Sequence, residues 1–385
     1  MNTEHLIYFD HAAATPLDKR VFAVLTPYFS EKFYNPSAAY QASRQVKAEL
    51  NDARHRLAIA IGGAKEEIIL TAGATESIAI AFHGLLNDGD HVVIGATEHA
   101  AVRGAAAKFD YAIAASDAKG IITPEAVKSA LTPNTRLVSV TLADSELGTV
   151  QKLRDIAGQI ADERTARRAQ GNTTPLYLHS DASQGAAALD INVARLGVDL
   201  LTLNAGKIYG PKQVGLLWVR SGIVLEPLIR GGGQERGVRA GTENVAGAIG
   251  FAMALEIVQK GRHTENERLG ELRSKLLEGL QAGLRDLVVN GHPKRHLPGH
   301  LNISIPGVDA ERVIFALDMK GILAATGAAC AANKGTRSTV LTAIGLDEQT
   351  ADGSLRISLG HLNDMEQIER AIPIIIETVN QERGK

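Results

Sequence analysis

The sequence predicts an α/β fold organised around a largely parallel sheet, and three observations lead there. Short β-rich runs alternate with helical stretches over the first two thirds of the 385 residues. Several of these runs are apolar throughout, as strands are when helices cover both faces. The polar residues of chemical interest fall at the ends of the runs or in the loops just after them, where open α/β sheets gather their ligands.

The candidate strands are 67–71, 91–94, 137–142, 176–179, 199–203 and 214–219, and the helices between them are 39–61, 76–86, 123–131 and 152–169. The texture changes from about residue 263. A long charged helix is expected over 265–284, followed by mixed strands and helices to about Val379. A chain of this length exceeds one ordinary core, so two domains meeting near residue 260 are expected. No repeat or low-complexity segment is visible.

Hydrophobic residues make up 45% of the chain and charged residues 22%, the balance of a globular protein. A formal net charge of -2 gives no reason to expect a nucleic-acid or anionic-membrane partner. The basic cluster Arg164, Arg167 and Arg168 stands beside Asp162 and Glu163 and reads as a solvated helix face. The N-terminus lacks a basic region followed by an apolar run, so no signal peptide is expected, and no apolar run is long enough to span a bilayer. The single cysteine leaves no intramolecular disulfide and no CxxC metal or redox pair, and the expected compartment is the cytoplasm.

Four segments carry the chemistry. In Leu203-Asn204-Ala205-Gly206-Lys207-Ile208-Tyr209-Gly210-Pro211 a lysine follows an apolar strand directly and precedes a Gly-Pro turn. A lysine so placed can serve as a nucleophile toward an aldehyde, or can be an exposed turn residue. Asp181 ends another strand in His179-Ser180-Asp181-Ala182-Ser183-Gln184, 26 residues before the lysine. A carboxylate there suits the pyridine nitrogen of pyridoxal phosphate (PLP), whose protonated ring acts as an electron sink, and suits a helix N-cap equally. Thr71-Ala72-Gly73-Ala74-Thr75-Glu76 opens a helix with small residues, a composition fit for a phosphate. Gly231-Gly232-Gly233-Gln234-Glu235-Arg236-Gly237 is neither GxGxxG after a strand nor a Walker sequence, which argues against a nucleotide loop.

Taken together, these segments resemble the class V aminotransferase family of fold type I PLP enzymes, and within it the NifS/IscS-type cysteine desulfurases. The similarity runs from Tyr8-Phe9-Asp10-His11-Ala12-Ala13-Ala14-Thr15-Pro16 to about Ile374. It includes Thr97-Glu98-His99, Glu146-Leu147-Gly148 and Glu235-Arg236-Gly237-Val238-Arg239-Ala240-Gly241-Thr242. The resemblance implies a large PLP-binding domain over 16–262 with a mostly parallel seven-stranded sheet. It also implies a smaller α+β domain made of 1–15 and 263–385. Lys207 matches the lysine that carries the cofactor, Asp181 the partner of the pyridine nitrogen, and His99 the histidine that stacks on the ring and assists proton transfer. Gln184 and Ser145 match contacts to the phenolic oxygen, and Ala74, Thr75 and Asn204 match cofactor contacts, Thr75 at the phosphate. Thr242 matches a phosphate contact supplied by a second subunit, which implies a homodimer. Arg356 matches the arginine that grips the substrate carboxylate bidentately, and Asn35 a second carboxylate ligand.

Cys330 lies in Ala328-Ala329-Cys330-Ala331-Ala332-Asn333-Lys334, at the place of the family's catalytic cysteine. The resemblance implies that it takes sulfur from L-cysteine as a persulfide, leaves L-alanine, and passes the sulfur to an acceptor protein, thiol or tRNA-modifying enzyme. His99 and Lys334 are candidates to favour its thiolate. A buried inert thiol is the bland reading. Three positions depart from the family pattern. Asp144-Ser145 replaces Asn-Asn, Gly206 replaces a phosphate-contacting histidine, and the segment before Cys330 lacks the usual serines. The expected consequence is looser PLP binding or altered chemistry, such as selenocysteine lysis or β-elimination, with a non-catalytic partner-binding homologue as the further alternative. The chain also ends soon after Val379, short of the tail with which family members dock an iron–sulfur scaffold.

Overall fold

The computed structural model describes residues 6–327 and 337–383. Its strands are β1 (Ile7–Tyr8), β2 (Ile68–Thr71), β3 (His91–Gly95), β4 (Asp110–Ala114), β5 (Thr135–Ser139), β6 (Tyr177–Asp181), β7 (Leu200–Asn204), β8 (Gly215–Val219), β9 (Val288–Asn290), β10 (His300–Ser304), β11 (Ile322–Leu323), β12 (Ala325–Thr326) and β13 (Ser354–Ser358). The helices are α1 (Lys19–Leu25), α2 (Gln41–Ile61), α3 (Ala74–Leu85), α4 (Ala100–Ala106), α5 (Pro124–Ala130), α6 (Leu153–Ala169), α7 (Val193–Leu196), α8 (Val245–Gly283), α9 (Ala310–Met319), α10 (Thr339–Ala343), α11 (Glu348–Asp352) and α12 (Met365–Arg383).

The large sheet has seven strands in the order β2-β8-β7-β6-β5-β3-β4. β3 to β7 run parallel, and β8 is antiparallel to both β2 and β7. Its apolar strands feed two cores, because successive side chains point to opposite faces. Val93, Val138, Leu201 and Leu216 pack with Leu50, Leu57, Ile156, Phe251 and Leu255 of α2, α6 and α8. Their neighbours Val92, Leu137, Leu200 and Leu217 pack on the other face with Ile78, Phe82 and Val102 of α3 and α4. This two-sided burial is why the runs lack hydrophobic alternation.

A four-stranded antiparallel sheet, β12-β13-β10-β9, and the parallel pair β1-β11 build a further core. There Leu269, Leu272, Leu276 and Leu280 of α8 meet Leu301, Ile303, Leu355 and Ile357, with Ile368 and Ile375 of α12 behind. The helix expected from residue 265 begins 20 residues earlier, at Val245. Its first three turns, 245–255, are buried almost throughout and carry no polar stripe, which hides helical periodicity. β4 escapes the sequence reading because it is an edge strand with Asp110, Tyr111 and Ile113 exposed.

One close approach sets the mouth of the sheet. A Cβ at Gly215 would lie 2.7 Å from Gly73 Cα and 2.9 Å from the Leu203 carbonyl, so only glycine lets the turn before α3 rest on β8. Gly215→Ala should therefore destabilise the fold by about 1–3 kcal/mol through overpacking against backbone. The check is a lowered Tm together with weaker PLP retention. An unchanged Tm would show that the turn has room to shift.

Candidate active site

Two adjacent strand ends supply the centre of the site. β6 ends at Asp181 and β7 at Asn204, and Asp181 pairs with Thr202 in parallel register. The chain leaves β7 in a 3-10 turn, Ala205–Lys207, where Asn204 Oδ1 accepts the Gly206 N–H at 3.0 Å. This turn presents Lys207, whose Nζ donates to the Ala12 and Ala13 carbonyls at 2.8 and 2.7 Å. Gln184 Nε2 also donates to the Ala12 carbonyl, at 2.9 Å. Tyr209 follows at φ 63°, a left-handed conformation that costs a bulky residue energy. It is held by its N–H to Thr15 Oγ1 at 2.8 Å and by stacking on His361 at 3.7 Å.

A cavity of about 530 Å³ opens over these strand ends. It brings together Ala74, Thr75, His99, Ser145, Asp181, Gln184, Asn204, Lys207 and Arg356, residues drawn from 74 to 356 in the chain. Asn35 and Thr242 are exposed and lie outside this lining in the single chain. Cys330 and Lys334 lie outside the described residues, although Gly327 and Ser338 on either side of that segment line the cavity.

His99 N-caps α4, its Nδ1 accepting the Ala101 N–H at 3.1 Å, so a neutral ring carries its proton on Nε2. Burial lowers its pKa, with Lys207 acting in the same direction and Asp181 opposing. Arg356 comes from β13 of the smaller sheet. Its Nη2 meets Asp10 Oδ1 at 2.7 Å, its Nη1 donates to the Ser145 carbonyl at 3.3 Å, and its buried Nε has no partner.

The donor set fits PLP. The α3 N-terminus faces an adjoining cavity lined by Gly73, Thr75, Asn204, Gly206 and Lys212, and free helix N–H groups favour a phosphate there. Gly206, where the resemblance expects a histidine, has room for a side chain, since a Cβ would meet Asn204 Oδ1 and Lys212 at ordinary contact distances of 3.4 Å and beyond. The Ser183 hydroxyl lines the main cavity buried and without a partner, which is the mark of a group awaiting a ligand. Lys207, Asp181 and Thr75 would hold the cofactor's aldehyde carbon, ring nitrogen and phosphate. Among the described residues no group of three or more His, Cys, Asp or Glu could hold a metal.

Sequence reasoning assigned no role to several residues that shape the site. Asp10, Glu98 and Glu146 stand within segments that carry the family resemblance, and Asp144 at a position that departs from it. Glu98 Oε1 accepts the Thr141 N–H at 2.6 Å, and burial holds its carboxyl well above the usual range. Burial pushes Asp144 up to about 6, against the pull of backbone N–H groups and Arg356. Glu146 rises to about 8 through burial and the neighbouring Asp144, although the Ser338 hydroxyl donates to it. Ser338 is 192 residues away in sequence, and no local signal could have joined the two.

A folded-state pKa above the unfolded one means that the protonated form stabilises the fold, and that this stability is lost as pH rises toward 8. Glu146→Gln removes the buried charge while keeping an acceptor for Ser338. The variant should melt about 2–4 °C higher than the parent at pH 8.5 and converge with it toward pH 5. Equal melting at both pH values would place the Glu146 carboxyl in water.

The chain matches the Aminotransferase class-V family over residues 7–371. It is 37% identical over 389 residues to cysteine desulfurase IscS of Clostridium botulinum, covering 98% of this chain and 95% of the relative. It is 36% identical to cysteine desulfurase IscS of Dictyoglomus turgidum, at 98% and 95% coverage. A solved NifS-like protein superposes with a TM-score of 0.88 at 29% identity, covering 98% of this chain and 100% of that one. SspA in complex with cysteine superposes with a TM-score of 0.79 at 32% identity, covering 91% and 98%. With its seven-stranded sheet and the cavity at the strand ends, the chain belongs to the class V aminotransferase family.

Proposed function

We propose that this chain is a PLP-dependent cysteine desulfurase that converts L-cysteine to L-alanine and passes the sulfur through Cys330 to an acceptor. The observation that carries this reading is the convergence of Lys207, Asp181, His99 and Arg356 on one cavity. The first three suit a PLP ring, and the last suits an amino-acid carboxylate. Relatives named cysteine desulfurase along nearly the whole chain, and a similar fold solved with cysteine, support the substrate.

PLP, when bound, supplies an electron sink for the substrate's Cα and Cβ. Lys207 would hold the cofactor's aldehyde carbon and take up or return the substrate's Cα proton, and Asp181 would hold its ring nitrogen. His99, which lines the cavity, would lie against the ring and move protons at the substrate. Arg356 fixes the carboxylate. The Cys330 thiolate attacks the substrate sulfur. The S–S bond forms as the Cβ–S bond breaks, and the bond's electron pair stays on Cβ, which gains a proton. The net change is one sulfur atom moved from cysteine to Cys330, with no outside oxidant.

The unit is a homodimer in this reading, with Thr242 acting at the partner's phosphate and Asn35 serving as a second carboxylate ligand. Phe29 and Phe33, 71% and 66% exposed near Asn35, and Ile229, 42% exposed in the loop leading to Thr242, support a covered surface there. The larger domain comprises 16–262 and the smaller 1–15 with 263–385. The continuous helix α8 joins them, leaving the core around Phe251 at Val258 and entering the other at Leu269. The reaction takes place in the cytoplasm.

The test is alanine and sulfide release from L-cysteine with PLP and a reductant present. The parent should release both. Lys207→Ala should lose covalent PLP and all turnover, and Cys330→Ala should keep PLP but fall to background. Sulfide with pyruvate, rather than alanine, from Cys330→Ala would replace the desulfurase with a β-eliminating enzyme.

A further inference from the structure

Arg356 sits among carboxylates. Asp10 occupies Nη2, and Nη1 reaches the carbonyl of Ser145, the residue beside Asp144. Asp144 is only 2% exposed, and its Oδ1 accepts the N–H groups of both Glu146 and Leu147, at 2.9 and 2.5 Å. The turn therefore needs one acceptor oxygen, and an asparagine would provide it equally well. What aspartate adds is a second anionic oxygen in a buried wall of the cavity that Arg356 also lines. Family resemblance places an asparagine here, so the charge belongs to this chain rather than to the turn.

The surroundings do not cancel that charge. Glu98 and Glu146, whose neutral forms burial favours, and Asp181 stand around it, while Arg103 from α4 and Arg356 from β13 add positive charge, with His99 and Lys207 in the same lining. Arg337, also in the lining, is already paired with Glu348 and Asp352 at 2.7 and 2.9 Å.

We propose that Asp144 is a specificity-determining residue that competes with a substrate's α-carboxylate for Arg356 and so loosens amino-acid binding. The competition follows from Coulomb's law, since a fixed carboxylate lining the same cavity as the guanidinium weakens its hold on a second anion. Its sign with pH is fixed. Asp144, shifted up to about 6, is neutral below that value and ionised above it, so carboxylate binding weakens as pH rises from 5.5 to 7.5. The inference rests on the reading of Arg356 as the carboxylate anchor, but not on desulfuration.

The experiment measures calorimetric affinities of holoenzyme for L-alanine and for ethylamine, which lacks the carboxylate. Asp144→Asn should bind alanine about tenfold tighter than the parent at pH 7.5, a coupling of about 1.4 kcal/mol, with a smaller gain at pH 5.5. Ethylamine should bind the two proteins equally, and KM for L-cysteine should fall in the variant with little change in kcat. In the parent alone, the alanine-to-ethylamine affinity ratio should drop between pH 5.5 and 7.5, which covers a variant that fails to fold. Unchanged alanine affinity, a parallel shift for ethylamine, or a flat ratio in the parent would each overturn the proposal. A protein that binds alanine as described yet releases none from cysteine would overturn the desulfurase reading alone.

Discussion

Residues 9–18 are hydrogen-bonded at one end to β13 and at the other to the turn that presents Lys207. Ser358 N–H reaches the Phe9 carbonyl at 2.8 Å, and His11 N–H returns to the Ser358 carbonyl at 3.1 Å. Further on, Thr15 Oγ1 donates to the Gly206 carbonyl at 3.1 Å while accepting from Tyr209, and Asp18 N–H meets the Tyr209 carbonyl at 3.0 Å. Between these anchors the Ala12 and Ala13 carbonyls point at Lys207 Nζ, and Asp10 pairs with Arg356. A single segment, turned at 11–13, thus ties the lysine of the large sheet to the arginine of the small one. Neither residue could be placed by its own sheet alone, because the two sheets share no strand.

The electrostatics of the cavity follow from this arrangement. It collects Glu98, Asp144, Glu146 and Asp181 against His99, Lys207, Arg103 and Arg356. Burial raises three of the four acids and favours the neutral forms of Glu98 and Glu146 near neutral pH. That leaves the cavity able to accept a phosphate and an amino-acid carboxylate, both anions. The same wall makes its affinity for anions depend on pH, since each acid that ionises works against the incoming ligand.

The sheet and its ligand end were legible in the sequence for a physical reason. Strands buried on both faces must be apolar throughout, and the chain must turn where they stop, so Asp181 and Lys207 could be set at neighbouring strand ends before any coordinates. The family motifs then ordered His99, Thr75 and Arg356 around them. What stayed hidden was pairwise and long-range. The Glu146–Ser338 bond, the Asp10–Arg356 pair and the contact of Gly215 with Gly73 depend on packing across hundreds of residues. The first three turns of α8 were hidden for the opposite reason, because burial on all sides erases the periodicity by which a helix is read. Asn35 and Thr242 lie outside the cavity lining of the single chain, and local sequence carries no sign of that.

The central claim is that the turn after β7 is the point of cofactor attachment. Borohydride reduction of PLP-loaded protein, followed by peptide mapping, tests this most directly, because reduction fixes the cofactor to whichever lysine bears it. The account predicts a phosphopyridoxyl group on Lys207 alone, absent from the Lys207→Ala variant. A label on Lys212 or on a lysine elsewhere, or no label on protein that binds PLP tightly, would contradict it.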